Sequence, residues 1–249
     1  MIEAQTLEES SSGDIEITRN DSGDVTDIEG QYVSFDIRNA DDALDAVTVL
    51  REELGIRSPD SELKFGGATV NDYGAKYMFA QFHEGMPVYG RRIVVSANSD
   101  NKANFLISDF MSSDILNNSE LSTGILQSQA EEIARADYSG DIECNSFEVI
   151  YSLNDYEGSP VRAWLVSIFG TKTDGSVEAE TVIVNSFDGS IIERTSNISY
   201  ADGHGYTELN NRKLVSFPVQ ISKMPLDKKA YQYMSDPDLN LIVAGRPLD

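Results

Sequence analysis

The hydrophobic positions of this chain change period twice, and each change separates a helix from a sheet. Leu44, Val47, Leu50 and Leu54 recur at steps of three and four, so they share one face of a helix predicted over 39–55. Asn39 or Asp41 can cap its start, Asp41 and Asp42 suit the positive end of the helix dipole, and Gly55 fits its stop. Pro59 and Asp60 mark a loop. From Leu63 to Met111 the period falls to two. That alternation predicts strands over 76–82, 88–97 and 103–110, with turns at Glu84-Gly85-Met86-Pro87 and Ser99-Asp100-Asn101-Lys102. The simplest arrangement is an antiparallel meander with the helix on one face.

The second half repeats the plan without repeating the residues. Leu126, Ala130, Ile133, Ala134 and Tyr138 form one stripe and predict a helix over 126–138. Strands are predicted over 146–153, 163–170, 178–186 and 190–195, with Asp188-Gly189 as a hairpin turn. Beyond 199 a glycine-rich run, Gly203-His204-Gly205-Tyr206, precedes strand-like pieces over 214–221, 230–234 and 239–244 that prolines interrupt. Two stretches lack a pattern. Residues 1–30 are rich in Glu, Asp, Ser and Gly and are expected to have no core of their own. Residues 112–122 are polar and read as a linker. The expected class is α+β: two small domains, each a helix packed on an antiparallel sheet, plus a β-rich C-terminal extension.

Charge narrows the partners. The 249 residues carry 19 Lys+Arg against 42 Asp+Glu, a net charge of -23, which repels phosphate backbones and anionic membrane surfaces. No nucleic acid and no membrane partner is expected. No run of 18 apolar residues offers a spanning helix, and no basic-then-apolar signal peptide opens the chain. Cys144 has no second cysteine to pair with and stands beside Glu143, with no activating cation adjacent, so it reads as an idle thiol.

The chemistry of a metalloenzyme is missing from the residue types. Zinc peptidases need two histidines one helical turn apart. His83-Glu84 begins such a motif, but Pro87 stands where the second histidine belongs, and Gly85 and Pro87 oppose a helix. His204, the other histidine, lies between glycines and reads as a loop residue. Asn20-Asp21-Ser22-Gly23-Asp24-Val25 resembles the start of a calcium loop, yet Val25 stands where the turn needs Gly and Gln31 where the ligand set needs an acid. Carboxylate pairs are too numerous for any one to stand out. No catalytic residue, metal ligand or cofactor is expected in this chain.

Three segments, in order, resemble one known layout. Gln81-Phe82-His83-Glu84-Gly85-Met86-Pro87-Val88-Tyr89-Gly90 resembles the signature of the fungalysin/thermolysin propeptide domain, carried by Gln81, Gly85, Pro87, Val88 and Gly90. Trp164-Leu165-Val166 and the stretch 181–192, with Asp188 and Gly189 at its turn, resemble the core strand and closing hairpin of a PepSY domain. Gly203-His204-Gly205-Tyr206 and the stretch 233–243 resemble the opening strands of a thermolysin-like catalytic domain. This layout divides the chain into an acidic segment 1–30, a propeptide-like domain 31–115, a PepSY-like domain 116–198, and a truncated catalytic start 199–249. Lys76 and Met78 stand where a His and an Arg are usual, and Asn185-Ser186 where Asp-Ala is usual.

The resemblance implies the pro-region of a secreted, extracellular zinc metallopeptidase. It would help the protease fold and inhibit it until cleavage near Ser196-Asn197-Ile198-Ser199-Tyr200, a segment expected to lie extended in the active-site cleft. The partner would be the cognate thermolysin-like domain, to which zinc and calcium would belong, and the chain would be a monomer. Read without any family, Gly85 and Pro87 shape a strand connection and Gln81 can bind a neighbouring backbone group. Two further readings are a free-standing secreted binding module that uses exposed sheet edges, and an enzyme with carboxylate chemistry.

Overall fold

The computed structural model describes the backbone of residues 15–119, 121–152, 159–173, 177–206, 214–223, 230–236 and 241–247. Side chains are described as far as 197, except at 172, 177 and 178. Helix and strand are mixed, and among the described residues strand dominates, so the sheets are the framework. The chain divides into two compact units. One comprises 1–121 with 148–162; the other comprises 122–147 with 163–249.

In the first unit, β1 (Glu16–Arg19) and β2 (Val25–Glu29) precede helix α1 (Ala40–Val49). A short helix, α2 (Pro59–Glu62), leads into β3 (Leu63–Asn71), β4 (Gly74–His83), β5 (Met86–Asn98) and β6 (Ala103–Ser108). Their sheet runs β1-β2-β6-β5-β4-β3, and each of these neighbours is antiparallel. The helix begins where Asn39 Oδ1 accepts from the backbone N–H of Asp41 (2.8 Å) and Asp42 (3.0 Å), two of the donors a helix start leaves open. Its regular part ends at Val49, shorter than 39–55; turns continue to Gly55, at φ +68. Ala43, Ala46, Val47 and Leu50 pack on Ile28, Phe79, Ile93, Val95 and Leu106 in one core.

Two unpatterned stretches turn out to be built into this unit. Of the acidic segment, residues 1–14 lie outside the described residues. Residues 15–30 carry a hairpin whose Val25 and Ile28 are buried in the shared core. Short strands hide from period analysis because two apolar residues suffice once a larger sheet covers them. Residues 113–117 form helix α3 (Ser113–Asn117) rather than linker, because Leu116 is buried against Val88, Met111 and Ile150.

In the second unit, helix α4 (Gln127–Arg135) precedes β7 (Gly140–Ser152), β8 (Pro160–Lys172), β9 (Val177–Asn185) and β10 (Ile191–Ser196), which lie in that order. The end of β7 and the start of β8 group with the first unit. There Val88 of β5 pairs with Ile150 in parallel, a departure from the all-antiparallel expectation. Ala130 and Ala134 pack on Val166, Val182 and Val184. Leu126, expected in the buried stripe, is 70% exposed because it precedes the first turn, where Gln129 Oε1 accepts from its N–H. A separate antiparallel sheet follows: β11 (Ile198–Tyr206), β12 (Leu214–Lys223), β13 (Ala230–Asp236) and β14 (Leu241–Pro247). The glycine-rich run, whose His204 reads as a loop residue in the sequence, lies inside β11, where glycine backbone still pairs across a ladder.

Candidate functional site

The five residues of the propeptide-like signature converge on one irregularity of the first sheet. Glu84 (φ +49) and Gly85 (φ +84) form a two-residue turn with both residues left-handed, the hairpin type whose twist suits antiparallel strands. Gly85 meets that demand without a Cβ penalty. Pro87 lies in the strand after the turn, opposite Phe82. Beyond it β5 leaves β4: Phe82 pairs with Pro87, yet Ala80 pairs with Arg92. The residues between include Val88, buried at the pairing with Ile150, and Gly90 at φ +75. Tyr89 stacks on Tyr151 at 5.8 Å, which further joins this stretch to β7.

Gln81 sits at the break and is fully buried. Its side chain accepts from Met111 N–H (2.9 Å) and donates to Met111 C=O (2.7 Å). One amide side chain thereby satisfies both backbone groups of a residue thirty positions away. Met111 in turn packs with Val88, Leu116 and Ile150. The signature thus builds a strand break and clamps the chain that follows β6. His83 is buried beside it, at the pairing with Met86.

The hairpin residues of the second unit also have structural partners. Asp188 Oδ1 accepts from Ser190 N–H (2.9 Å) and Oγ (2.7 Å), and these bonds hold its carboxyl below the usual range. Gly189 takes φ +77 in the turn, and its α-carbon faces Ile133 of α4. Ser186 C=O accepts from Gly124 (2.6 Å) and Ile125 (2.8 Å), which anchors the approach to α4. Asn185 Oδ1 accepts from Phe187 N–H (2.9 Å), so Asn supplies the turn acceptor. Trp164 pairs with Val184 and packs on the α4 core, with its indole N–H buried and without a partner.

Sequence reasoning missed the network that holds the end of α4. Arg194 of β10 donates to Ala134 C=O (3.1 Å) and pairs with Glu180 (3.2 Å) and Asp137 (3.3 Å). The only advance signal was an arginine inside a predicted strand. Cys144 does have a cation nearby: Arg135, the last residue of α4. A hydrogen bond with Cys144 first, and the carboxylates of Glu131 and Glu132 after it, raise that guanidinium above its ordinary value.

The segment Ser196 to Tyr200 is extended, but it is held in ladders. Ser196 pairs with Glu180, and Asn197 donates through its N–H to Ala179 C=O (2.8 Å) and through Nδ2 to Thr181 Oγ1 (3.0 Å). Ile198, Ser199 and Tyr200 pair with Ser222, Ile221 and Gln220. A protease would have to open this pairing locally to bind the segment. The side chain of His204 lies outside the described residues.

The first unit holds a cleft of about 200 Å³ lined by Asp24, Val25, Arg91, Asp109, Phe110 and Met111, among others. Arg91 is buried there and donates to Asp109 C=O at 3.5 Å. Ligand pockets usually exceed about 300 Å³, so the cleft suits waters better than a small molecule. Among the described residues no three His, Cys, Asp or Glu side chains lie close enough to share a metal ion.

Comparison with known proteins adds little. No family model matches the chain, and no curated protein matches it. Among solved structures it is similar to the Bacillus megaterium YpeB C-terminal domain, at 13% identity and a TM-score of 0.33, over 76% of this chain and 92% of that one.

Proposed function

We propose that this chain is the pro-region of a secreted thermolysin-like zinc metallopeptidase, acting on the protease domain as folding aid and inhibitor. The observation that carries the reading is the run Gln81 to Gly90, in which five separate positions match one signature. The ordered resemblances at Trp164, at Asp188-Gly189 and at Gly203 support it. A domain that binds only the folded enzyme stabilises it by mass action, and a covalent tether raises its effective concentration. Nothing in the chain performs hydrolysis under this reading; zinc and calcium belong to the protease, and the protein acts outside the cell. Residues 31–115 and 116–198 would be the two working domains, and 199–249 the opening of the protease.

The test is to titrate the purified chain into a thermolysin-like protease and follow peptide hydrolysis. Inhibition in the micromolar range is expected, and a Gly85→Val variant should inhibit less, because a β-branched residue strains the left-handed turn. No inhibition by the folded chain removes this reading. The second reading, a free-standing binding module, is favoured by the partly exposed apolar side chains on one face of the first sheet.

A further inference from the structure

The face of the first sheet turned away from α1 is divided by charge. Side chains there alternate with the buried ones, and the register aligns them in rows. One row crosses from Glu29 on β2 through Phe105 and Ser96 to Lys76 on β4. The next crosses from Asp27 through Ile107 and Val94 to Met78. Glu16 extends the acidic side on β1 and Lys64 extends the basic side on β3, while Arg92 lies on β5 itself and pairs with Asp109 at 3.7 Å. Each of these residues is partly or fully exposed, Ile107 at 41%. An apolar centre therefore lies between an acidic flank and a basic flank, in a chain whose net charge is -23. Contiguous exposed apolar groups with a polar rim mark interaction surfaces.

We propose that this face packs on the same face of a second copy of the chain. The pattern is self-complementary under one rotation only. A two-fold axis parallel to the strands, between β5 and β6, turns β2 of one copy over β4 of the other. Glu29 then faces Lys76 of the second copy, and Ile107 faces Val94, each contact occurring twice. An axis across the strands would set acid on acid. Face-to-face sheets lie about 10 Å apart with strands offset by about 30°, a gap that Glu and Lys side chains can bridge. Same-face rows repeat about every 6.7 Å and strands about every 4.8 Å, so the two rows across six strands give a patch of about 400 Å² per copy. The two copies together bury about 800 Å², below the roughly 1,000 Å² of a lasting interface, so the dimer is weak and reversible. This departs from the monomer expected from the sequence, and it holds whether or not the chain is a pro-region.

The experiment is sedimentation of the full chain from about 1 μM to about 1 mM in about 0.15 M salt, where screening limits repulsion between the acidic copies. A concentration-dependent dimer is expected. Ile107→Glu should abolish it, and Glu29→Lys and Lys76→Glu should each weaken it by about tenfold or more. The double variant Glu29→Lys/Lys76→Glu should recover it, because the two flanks exchange sign together. Far-UV circular dichroism checks that each variant is folded. A monomer throughout, a dimer indifferent to Ile107→Glu, or a double variant that stays weak overturns the proposal. A monomer that instead binds a protease through this face overturns it in favour of that partner.

Discussion

The two main sheets obey different rules. In the first, strands β4, β5 and β6 alternate: Phe79, Ile93, Val95 and Leu106 are buried, while Met78, Val94 and Ile107 stay partly or fully open. In the second, Leu165 and Val166 are buried in succession, as are Val182, Ile183 and Val184. Consecutive residues of a strand point to opposite faces, so the second sheet is covered on both. Its strands accordingly read as near-continuous apolar runs, Ala163-Trp164-Leu165-Val166 and Thr181-Val182-Ile183-Val184. One-sided cover leaves a surface that can meet a partner; two-sided cover leaves a core.

The largest expected contrast tests that difference directly. Ile183→Ala should cost about 2–5 kcal/mol, since it empties a fully enclosed site, while Ile107→Ala should stay within about 0.5 kcal/mol. Denaturant unfolding measures both, and equal costs would break the comparison.

Next in size is the clamp. Gln81→Ala would orphan two buried backbone groups of Met111, costing about 2 kcal/mol or more. Asn185→Ala, which removes one acceptor at an exposed turn of the second unit, should cost about 1 kcal/mol or less. Chemical denaturation of the two variants would show whether the signature residue outweighs the hairpin residue.

The two turns give a finer contrast. Gly85 and Gly189 both take positive φ, so replacement by Ala strains each by about 1 kcal/mol. At Gly85 an added Cβ meets nothing within 4 Å, whereas at Gly189 it would stand 2.9 Å from Ile133 Cδ1. Gly189→Ala should therefore lower the melting temperature more than Gly85→Ala, and the reverse order would show that α4 yields freely there.

The smallest effect is in acid. The hydrogen bond from Lys102, followed by the charges of Lys102 and Arg38, holds the Asp36 carboxyl low, and the Ser190 bonds do the same for Asp188. A carboxyl whose folded value lies below its unfolded value of about 3.9 contributes stability above that pH and loses it as pH falls through the folded value. Asp188→Asn should flatten the acid limb seen by fluorescence of the single tryptophan, Trp164, while Asp36→Asn should leave that signal unchanged. An equal response to both would mean that the units do not melt separately.

Much of this was legible because it is local. The cap at Asn39 and the stripe of Val47, Leu50 and Leu54 follow from residues within one or two turns of each other. So do the turns at Glu84-Gly85 and Asp188-Gly189. The hairpin at 16–29 was not legible as an element because its burial is supplied by neighbours distant in sequence, and β3 was not because only Leu63 of it is buried, which leaves no alternation to read. Leu126 shows the converse: an apolar residue in the right stripe stays exposed because the helix starts one residue too late to turn it inward.

What the sequence determined by itself is the alternation of periods, the acidic charge, the turn chemistry, and the lack of a paired-histidine zinc motif. Tertiary structure decided which faces are covered, where β5 changes partner, and what Gln81 and Arg194 hold. The physical reason is range. Period, capping and turn preference act over a few residues. Burial and long-range hydrogen bonds, such as Gln81 to Met111, depend on which segments the fold brings together.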